Sequence, residues 1–353
     1  MTANLENFCA STPTTEIMPR DESGDFLYPD RPYVELTGRA RLIEINSSEL
    51  VYQHPAVPEI AGVAARAIRY SAETRGEHYD VLRLEPLTDG ALVNGRSFNV
   101  TPAYITRHDE GITLALAMHA VNEGFSVTSI SQERQASHGK YFPSLDTTAL
   151  NHFTIADTIE RERGNQDDKL SYDEFGYSRG GILAYRRARL AHQLGRSAGL
   201  VEVLAAVCHH DSSRSRTIKM FASLPFYEAV EVLGQIIDNP QQIKLLADTV
   251  GHDLETIIHA YDSAGPLLGA RTADVINDLP SHQRGTTSVY GRDPFGHKKA
   301  FLGSFANHPN MRTRHIGGLA HLGAMRQSER IAFGERLQQY ASTAPSPERP
   351  AAA

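Results

Sequence analysis

The stretch EFGYSRGG, residues 174–181, decides how the rest of the chain is interpreted, because it places a serine among closely spaced glycines. Gly176 precedes Ser178 by two residues, Gly180 follows it by two, and Gly181 comes next. Such glycines suit a tight turn from a strand into a helix, in which flanking side chains find no room and the serine hydroxyl is lifted above a sheet. A glycine-rich turn without a catalytic role would have the same five residues, so the rest of the chain has to supply the partners of the serine.

Strand-like and helix-like patterns alternate on both sides of this stretch. Strands are predicted at 40–46, 79–87, 99–106, 125–131, 200–210, 284–291 and 310–318, together with LSYDEFGY just before the serine. Helices are predicted at 112–125, 148–163, 181–195 and 326–341. This alternation predicts an α/β protein with a doubly wound, mainly parallel sheet that is covered by helices on both faces.

The alternation also divides the chain into regions. Residues from about 215 to 280 carry consecutive helical patterns and are predicted as a helical insertion between two parts of one core, 31–214 and 281–341. Residues 1–30 are polar and are predicted as a flexible arm, and the Pro- and Ala-rich segment 342–353 is predicted as a disordered tail.

The composition argues against several classes of function. The net charge is -7 over 353 residues, whereas a protein that binds nucleic acid mainly through phosphate contacts usually has a strong excess of basic residues. A nucleic-acid-binding protein of that kind is therefore not expected. No apolar run approaches about 18 residues, so no membrane span is expected. Two cysteines, Cys9 and Cys208, do not suggest a disulfide framework, and the first residues lack a secretory pattern, which together predict a cytoplasmic protein.

Two later segments contain candidate partners for the serine. In VYGRDPFG, residues 289–296, a predicted strand runs into a turn that carries Asp293. In GGLAHLG, residues 317–323, the loop after a predicted strand carries His321, shortly before the last helix. A serine hydroxyl becomes a good nucleophile when a histidine accepts its proton and an acid orients that histidine. The chain therefore contains the required side chains in the order serine, acid, histidine.

This order, with the serine on a strand–turn–helix, resembles the α/β-hydrolase family. The resemblance covers roughly residues 40–341 and rests on GYSRGG, VYGRDPFG and GGLAHLG. It implies a serine hydrolase that acts on a small-molecule ester or similar acyl compound through an acyl-enzyme, without a metal or organic cofactor. It also implies that the insertion at 215–280 is the cap that many members carry between the sixth and seventh strands.

The resemblance further assigns roles to individual residues. Ser178 would be the nucleophile, His321 the general base and then the general acid, and Asp293 the residue that orients the histidine. The backbone N–H of Arg179 would stabilise the oxyanion, and a second N–H would come from the loop around Thr106 and Arg107.

Two features depart from the family pattern. Asp173 and Glu174 stand in the predicted strand before the serine, where a central strand is usually apolar. The loop TRHDEG, residues 106–111, replaces the HGGG-type stretch of lipases and esterases and favours a non-catalytic binding protein as one alternative. An acyltransferase that uses the same three residues is the other alternative. The sequence does not indicate an oligomeric state.

Other residues compete for two of the roles. Asp211, directly after the predicted strand 200–210, is the alternative acid to Asp293. His308 and His315 are alternatives to His321, although His315 falls within a predicted strand and His308 precedes that strand.

Two further patterns suit binding sites but have simpler explanations. CHHDS, residues 208–212, contains four metal-ligand types, yet neighbouring residues of a strand point to opposite faces, so no metal site is predicted. Arg186, Arg187 and Arg189 form a basic run after the serine, which is predicted as a solvated helix face in preference to an anion site.

Overall fold

The computed structural model describes most of the chain between residues 38 and 343. The described ranges are 38–87, 96–103, 106–131, 145–163, 171–194, 197–206, 214–249, 272–294, 303 and 305–343. The predicted arm at 1–30, the CHHDS segment with Asp211, and nearly all of the predicted tail at 342–353 lie outside the described residues.

The observed elements follow the predicted alternation closely. The strands are β1 (Arg41–Val51), β2 (Ala64–Thr74), β3 (Glu77–Pro86), β4 (Ser97–Thr101), β5 (Ser126–Ile130), β6 (Ser171–Tyr177), β7 (Ser197–Leu204), β8 (Arg284–Tyr290) and β9 (Met311–Ile316). The α-helices are α1 (Gly111–Asn122), α2 (Leu145–Glu162), α3 (Arg179–Gln193), α4 (Arg214–Asp238), α5 (Gln242–Thr249), α6 (Thr272–Asn277) and α7 (Gln327–Thr343), with short 3-10 helices at Pro58–Ile60 and His321–Met325. Among the helices that the structure describes, none combines the length and apolarity needed to cross a membrane.

The strands form one nine-stranded sheet in the order β1-β2-β3-β5-β4-β6-β7-β8-β9. The first three strands pair antiparallel with their neighbours, whereas β5, β4, β6, β7, β8 and β9 run parallel. The prediction of a mainly parallel sheet is therefore confirmed. Strand β2 is not among the predicted strands. The predicted strand at 200–210 is therefore the seventh strand of the chain, β7, and the helical insertion follows it.

Helices cover both faces of the sheet, as the doubly wound pattern requires. On one face, apolar side chains of α1 and α7 pack with strand residues such as Phe98 and Phe175. On the other face, α3 and α6 pack against β7 and β8, with Tyr185 and Val203 among the buried residues. Strand β6 lies near the middle of the sheet between these two layers, so the residue that follows it is held from both sides.

The two carboxylates of β6 are compatible with a central strand because each has buried polar partners. Asp173 accepts hydrogen bonds from the backbone N–H of Leu200 at 2.7 Å and the hydroxyl of Tyr340 at 3.0 Å, and it pairs with Arg96. Burial outweighs these interactions and raises the pKa of Asp173 to about 6. The LSYDEFGY strand is therefore confirmed.

The prediction for the arginines of α3 is wrong, because all three side chains are buried. Arg186 and Arg189 both pair with Asp146 at the start of α2. Arg187 pairs with Glu174 of β6, to which its Nε donates at 2.7 Å. Helix α3 is enclosed between the sheet and α2, and acidic residues on both sides compensate its positive charge.

The region between β7 and β8 is helical where it is described. Helix α5 packs against α1, since the hydroxyl of Thr249 accepts a hydrogen bond from the backbone N–H of Ile112 at 2.9 Å and Leu245 is buried in the main core. Residues 250–271 lie outside the described part of the chain. The assignment of 215–280 as a cap stays a prediction.

Candidate active site

Ser178 occupies the turn between β6 and α3 and is the N-cap residue of that helix. Its backbone has φ 56° and ψ -123°, a left-handed conformation that is rare for a residue with a side chain. The turn is fixed by two hydrogen bonds, from the N–H of Ser178 to the carbonyl of Leu204 and from the N–H of Gly181 to the carbonyl of Ser178, both at 2.9 Å.

The glycines of the turn are required by close packing. A Cβ at Gly176 would clash with the backbone of Gly180 and Gly181, and a Cβ at Gly181 would clash with Val203 of β7. A Cβ at Gly180 would clash with the carbonyl oxygens at the end of β4. The expectation that the positions around the serine leave no room for side chains is therefore confirmed.

The loops after β8 and β9 bring an acid and a histidine to the same edge of the sheet. Asp293 lies in the turn after β8, and His321 begins the 3-10 helix after β9. The two loops are joined by backbone hydrogen bonds, in which Arg292 donates to the carbonyl of Leu319 at 2.9 Å and Gly291 donates to that of Ile316 at 2.8 Å. Each loop therefore restrains the other.

The three side chains form a continuous chain of contacts. Nε2 of His321 lies 2.7 Å from Oγ of Ser178, and Nδ1 of His321 lies 2.7 Å from Oδ2 of Asp293. All three residues are buried, although 8% of the surface of Ser178 and of His321 is still exposed to solvent. With the histidine neutral, the serine hydroxyl can donate to Nε2 while the Nδ1–H donates to the carboxylate.

The fold that holds these residues has counterparts among solved structures. The chain is similar to the enol-lactonase of Burkholderia xenovorans LB400 (TM-score 0.55, 12% identity, 77% of this chain and 99% of that chain covered). It is also similar to the esterase Pf2001 of Pyrococcus furiosus (TM-score 0.52, 12% identity, 84% and 100% covered) and to a thermophilic esterase of Thermogutta terrifontis (TM-score 0.51, 14% identity, 76% and 96% covered). The chain has the α/β-hydrolase fold. No protein-family model and no curated protein matches it in sequence.

Within this α/β-hydrolase fold, the rival histidines do not contact the serine. His315 is exposed on β9, and His308 is buried in the turn before that strand. The rival acid Asp211 lies outside the described residues, whereas the carboxylate of Asp293 contacts Nδ1 of the His321 imidazole. In the described ranges, no three His, Cys, Asp or Glu side chains are grouped so that they could hold a metal ion.

The charge around the histidine favours its protonated form. Burial lowers the pKa of the His321 imidazole, but the charge and hydrogen bond of Asp293 and the charge of Glu228 outweigh burial, and the pKa is raised overall. The site can therefore stabilise a positively charged imidazole at His321.

Two residues that contact His321 were not predicted from the sequence. The ring of Tyr177, next to the serine, stacks on the imidazole at 5.7 Å between centroids, and its hydroxyl donates to the carbonyl of His321 at 3.1 Å. Glu228 of α4 accepts a hydrogen bond from the backbone N–H of His321 at 2.6 Å. Tyr177 could have been suspected from the sequence, because it is the residue before Ser178. Glu228 could not, because 93 residues separate it from His321.

The loop expected to complete the oxyanion hole requires a correction. The N–H of Thr106 donates to the carbonyl of Ala103 at 3.2 Å, and that of Arg107 donates to the carbonyl of Thr249 at 3.4 Å. Both N–H groups are thus directed at protein carbonyls. The backbone that approaches the start of α3 is that of Thr101 and Pro102, directly after β4, because these are the carbonyls that a Cβ at Gly180 would strike.

Proposed function

We propose that this chain is a serine hydrolase that cleaves a carboxylic ester or a related acyl compound through an acyl-enzyme. The observation that carries the proposal is the pair of 2.7 Å contacts linking Ser178 to His321 and His321 to Asp293 at the edge of the sheet. The α/β-hydrolase fold supports it, because this fold presents a serine on the turn between a strand and a helix in many hydrolases.

The first half of the reaction follows from the order of these contacts. The hydroxyl oxygen of Ser178 attacks the acyl carbonyl carbon while Nε2 of His321 takes the hydroxyl proton. Asp293 keeps the proton on Nδ1, so that Nε2 presents its lone pair, and it stabilises the resulting imidazolium. The imidazolium then protonates the leaving alcohol as the bond between the carbonyl carbon and the alcohol oxygen breaks.

The second half repeats these steps with water. His321 takes a proton from water, the hydroxide oxygen attacks the acyl carbon, and the serine oxygen leaves with the proton that His321 returns. In both halves the carbonyl oxygen becomes an anion that backbone N–H groups must stabilise. Arg179, the first residue of α3, is the proposed first donor. Pro102 has no N–H, so Ala103 is the proposed second donor, in place of Thr106 and Arg107.

The helices between β7 and β8 are proposed to form the cap over this site. Support comes from α4, which contacts the turn that carries His321 through Glu228 and Gln235. The cap would exclude water and select the acyl group, so the shape of this segment would set the range of substrates.

The proposal is tested by intact-protein mass spectrometry after incubation with a fluorophosphonate. We expect one adduct on the native chain, none on Ser178→Ala, and an unchanged adduct on Ser48→Ala, which alters an exposed serine of β1. A folded native chain that forms no adduct would contradict the proposal and favour a binding protein. Product analysis on an ester panel, with and without added alcohols or thiols, then separates hydrolysis from acyl transfer.

The pH dependence of labelling follows from the raised pKa of His321. Only the neutral imidazole can accept the serine proton, so the rate of adduct formation should fall as the pH drops through this pKa. Because the pKa is raised, the midpoint should lie above 6.5, the ordinary value for histidine. Labelling rates between about pH 5 and pH 9 check this expectation, and a midpoint below 6.5 would contradict it.

A further inference from the structure

The 3-10 helix that begins at His321 has no capping side chain of its own. Its N-cap residue is Ala320, which makes no side-chain hydrogen bond to the helix. The first N–H groups of any helical turn lack partners within that turn and need acceptors from elsewhere. The backbone that carries the proposed general base therefore depends on another part of the chain.

Helix α4 supplies these acceptors. One carboxylate oxygen of Glu228 accepts from the N–H of His321 at 2.6 Å, and the other accepts from the N–H of Leu322 at 2.9 Å. Glu231, one turn further along α4, accepts from the N–H of Ala320 at 3.3 Å and from Nε of Arg326 at 2.5 Å. The two glutamates thus cap the histidine turn from a helix about 90 residues away in sequence.

Glu228 is also an electrostatic neighbour of the imidazole. It is buried, and burial raises the pKa of its carboxyl. The charge of His321 and the two backbone hydrogen bonds lower this pKa, but burial is the larger effect, so the pKa is raised overall. Among the described residues, the groups that face His321 include Ser178 from the turn after β6, Asp293 from the β8 loop, Glu228 from α4 and the stacked ring of Tyr177 from β6. Of these, Asp293 and Glu228 are the two carboxylates.

We infer that Glu228 is a positioning residue for His321, holding the histidine turn by its backbone and placing a second negative charge beside the ring. The catalytic part of this inference rests on the proposed function, whereas the structural part does not. It gives α4 a direct connection to the chemistry, because any displacement of this helix would uncap the turn and remove a charge from the imidazole at the same time. The general base would then be both misplaced and less basic.

The inference is tested by NMR titration of the His321 ring, assigned by comparison with His321→Gln, in the native chain and three variants. Glu228→Gln keeps the shape but removes the charge and one acceptor, so the pKa of His321 should fall by about half a unit or more. Glu228→Asp keeps the charge but shortens the reach, so the pKa should change less while the backbone signals of His321 and Leu322 shift. Asp238→Asn makes the same charge change on the same helix at a side chain that is 73% exposed, and should leave the pKa within about 0.2 units.

Rates of fluorophosphonate labelling provide the second readout. Glu228→Gln should slow labelling about tenfold near neutral pH and move the acid limb of the profile to lower pH, because less charge supports the imidazolium. A merely structural role would lower the thermal midpoint without moving this limb. An unchanged His321 pKa and an unchanged limb in a folded Glu228→Gln variant would overturn the inference. Absence of labelling in the native chain would overturn the proposed function instead, and the NMR titration would still decide the role of Glu228.

Discussion

Replacement of Ser178 by alanine is expected to lower the rate of ester hydrolysis by a factor of about 10⁴ or more, because in the proposed mechanism the hydroxyl of Ser178 forms the acyl-enzyme. The measurement is kcat on whichever ester the native chain hydrolyses fastest. The thermal midpoint should not fall, since the turn is held by backbone hydrogen bonds that do not involve the hydroxyl of Ser178.

Matched variants decide whether the three residues act together. His321→Ala should lose nearly as much rate as Ser178→Ala, and Asp293→Asn should lose less, because it removes only the orientation and charge stabilisation of the base. The double variant Ser178→Ala/His321→Ala should be no slower than either single variant. Additive losses, or a Ser178→Ala variant that retains more than about a tenth of native kcat, would contradict the proposed mechanism.

Replacement of Arg187 by leucine is expected to lower the free energy of unfolding by about 3–5 kcal/mol, because it leaves the buried carboxylate of Glu174 without its cation. Arg187 also donates to the hydroxyl of Thr101 at the end of β4, so the change removes support from beneath the serine turn. Burial already raises the pKa of Glu174, and loss of the arginine should raise it further. The carboxyl can then take up a proton, so the loss should be smaller near pH 5 than near pH 8.

Denaturant unfolding at these two pH values, compared with Arg41→Leu, provides the measurement and its control. Arg41 pairs with Glu73 at 3.8 Å, but its side chain is 58% exposed, so its loss should change the free energy of unfolding by less than about 1 kcal/mol. If Arg187→Leu were as mild as the control, the buried network of α3 and β6 would not contribute to stability as inferred.

Local patterns were sufficient to predict most of the fold. Strands β8 and β9 end directly before Gly291 and Gly317, and the close packing required at Gly176, Gly180 and Gly181 could be inferred from their spacing around Ser178 alone. The order of Ser178, Asp293 and His321 indicated which loops to compare, and the structure brings these side chains together. Their catalytic roles stay predictions until labelling and kinetics are measured.

The features that were missed depend on contacts between distant segments. Strand β2, AARAIRYSAET, buries Ala65, Ala67 and Ala72, and its pattern does not alternate regularly because the neighbours Ala67 and Ile68 are both buried. The arginines of α3 resemble a solvated face in sequence because their partners Asp146 and Glu174 belong to other elements. Glu228 has no local pattern that would connect it to His321. The arginines of α3 and Glu228 have partners that are distant in sequence and come close only in the folded chain.

The backbone conformation of Ser178 has a consequence for how this site can change. Holding a residue with a side chain at φ 56° costs about 1–3 kcal/mol, which glycine would largely avoid. Selection for activity and selection for stability therefore act in opposite directions at this position. A library of variants screened only for heat resistance would accumulate glycine at position 178, and its most robust members would have lost the hydroxyl on which the proposed chemistry depends.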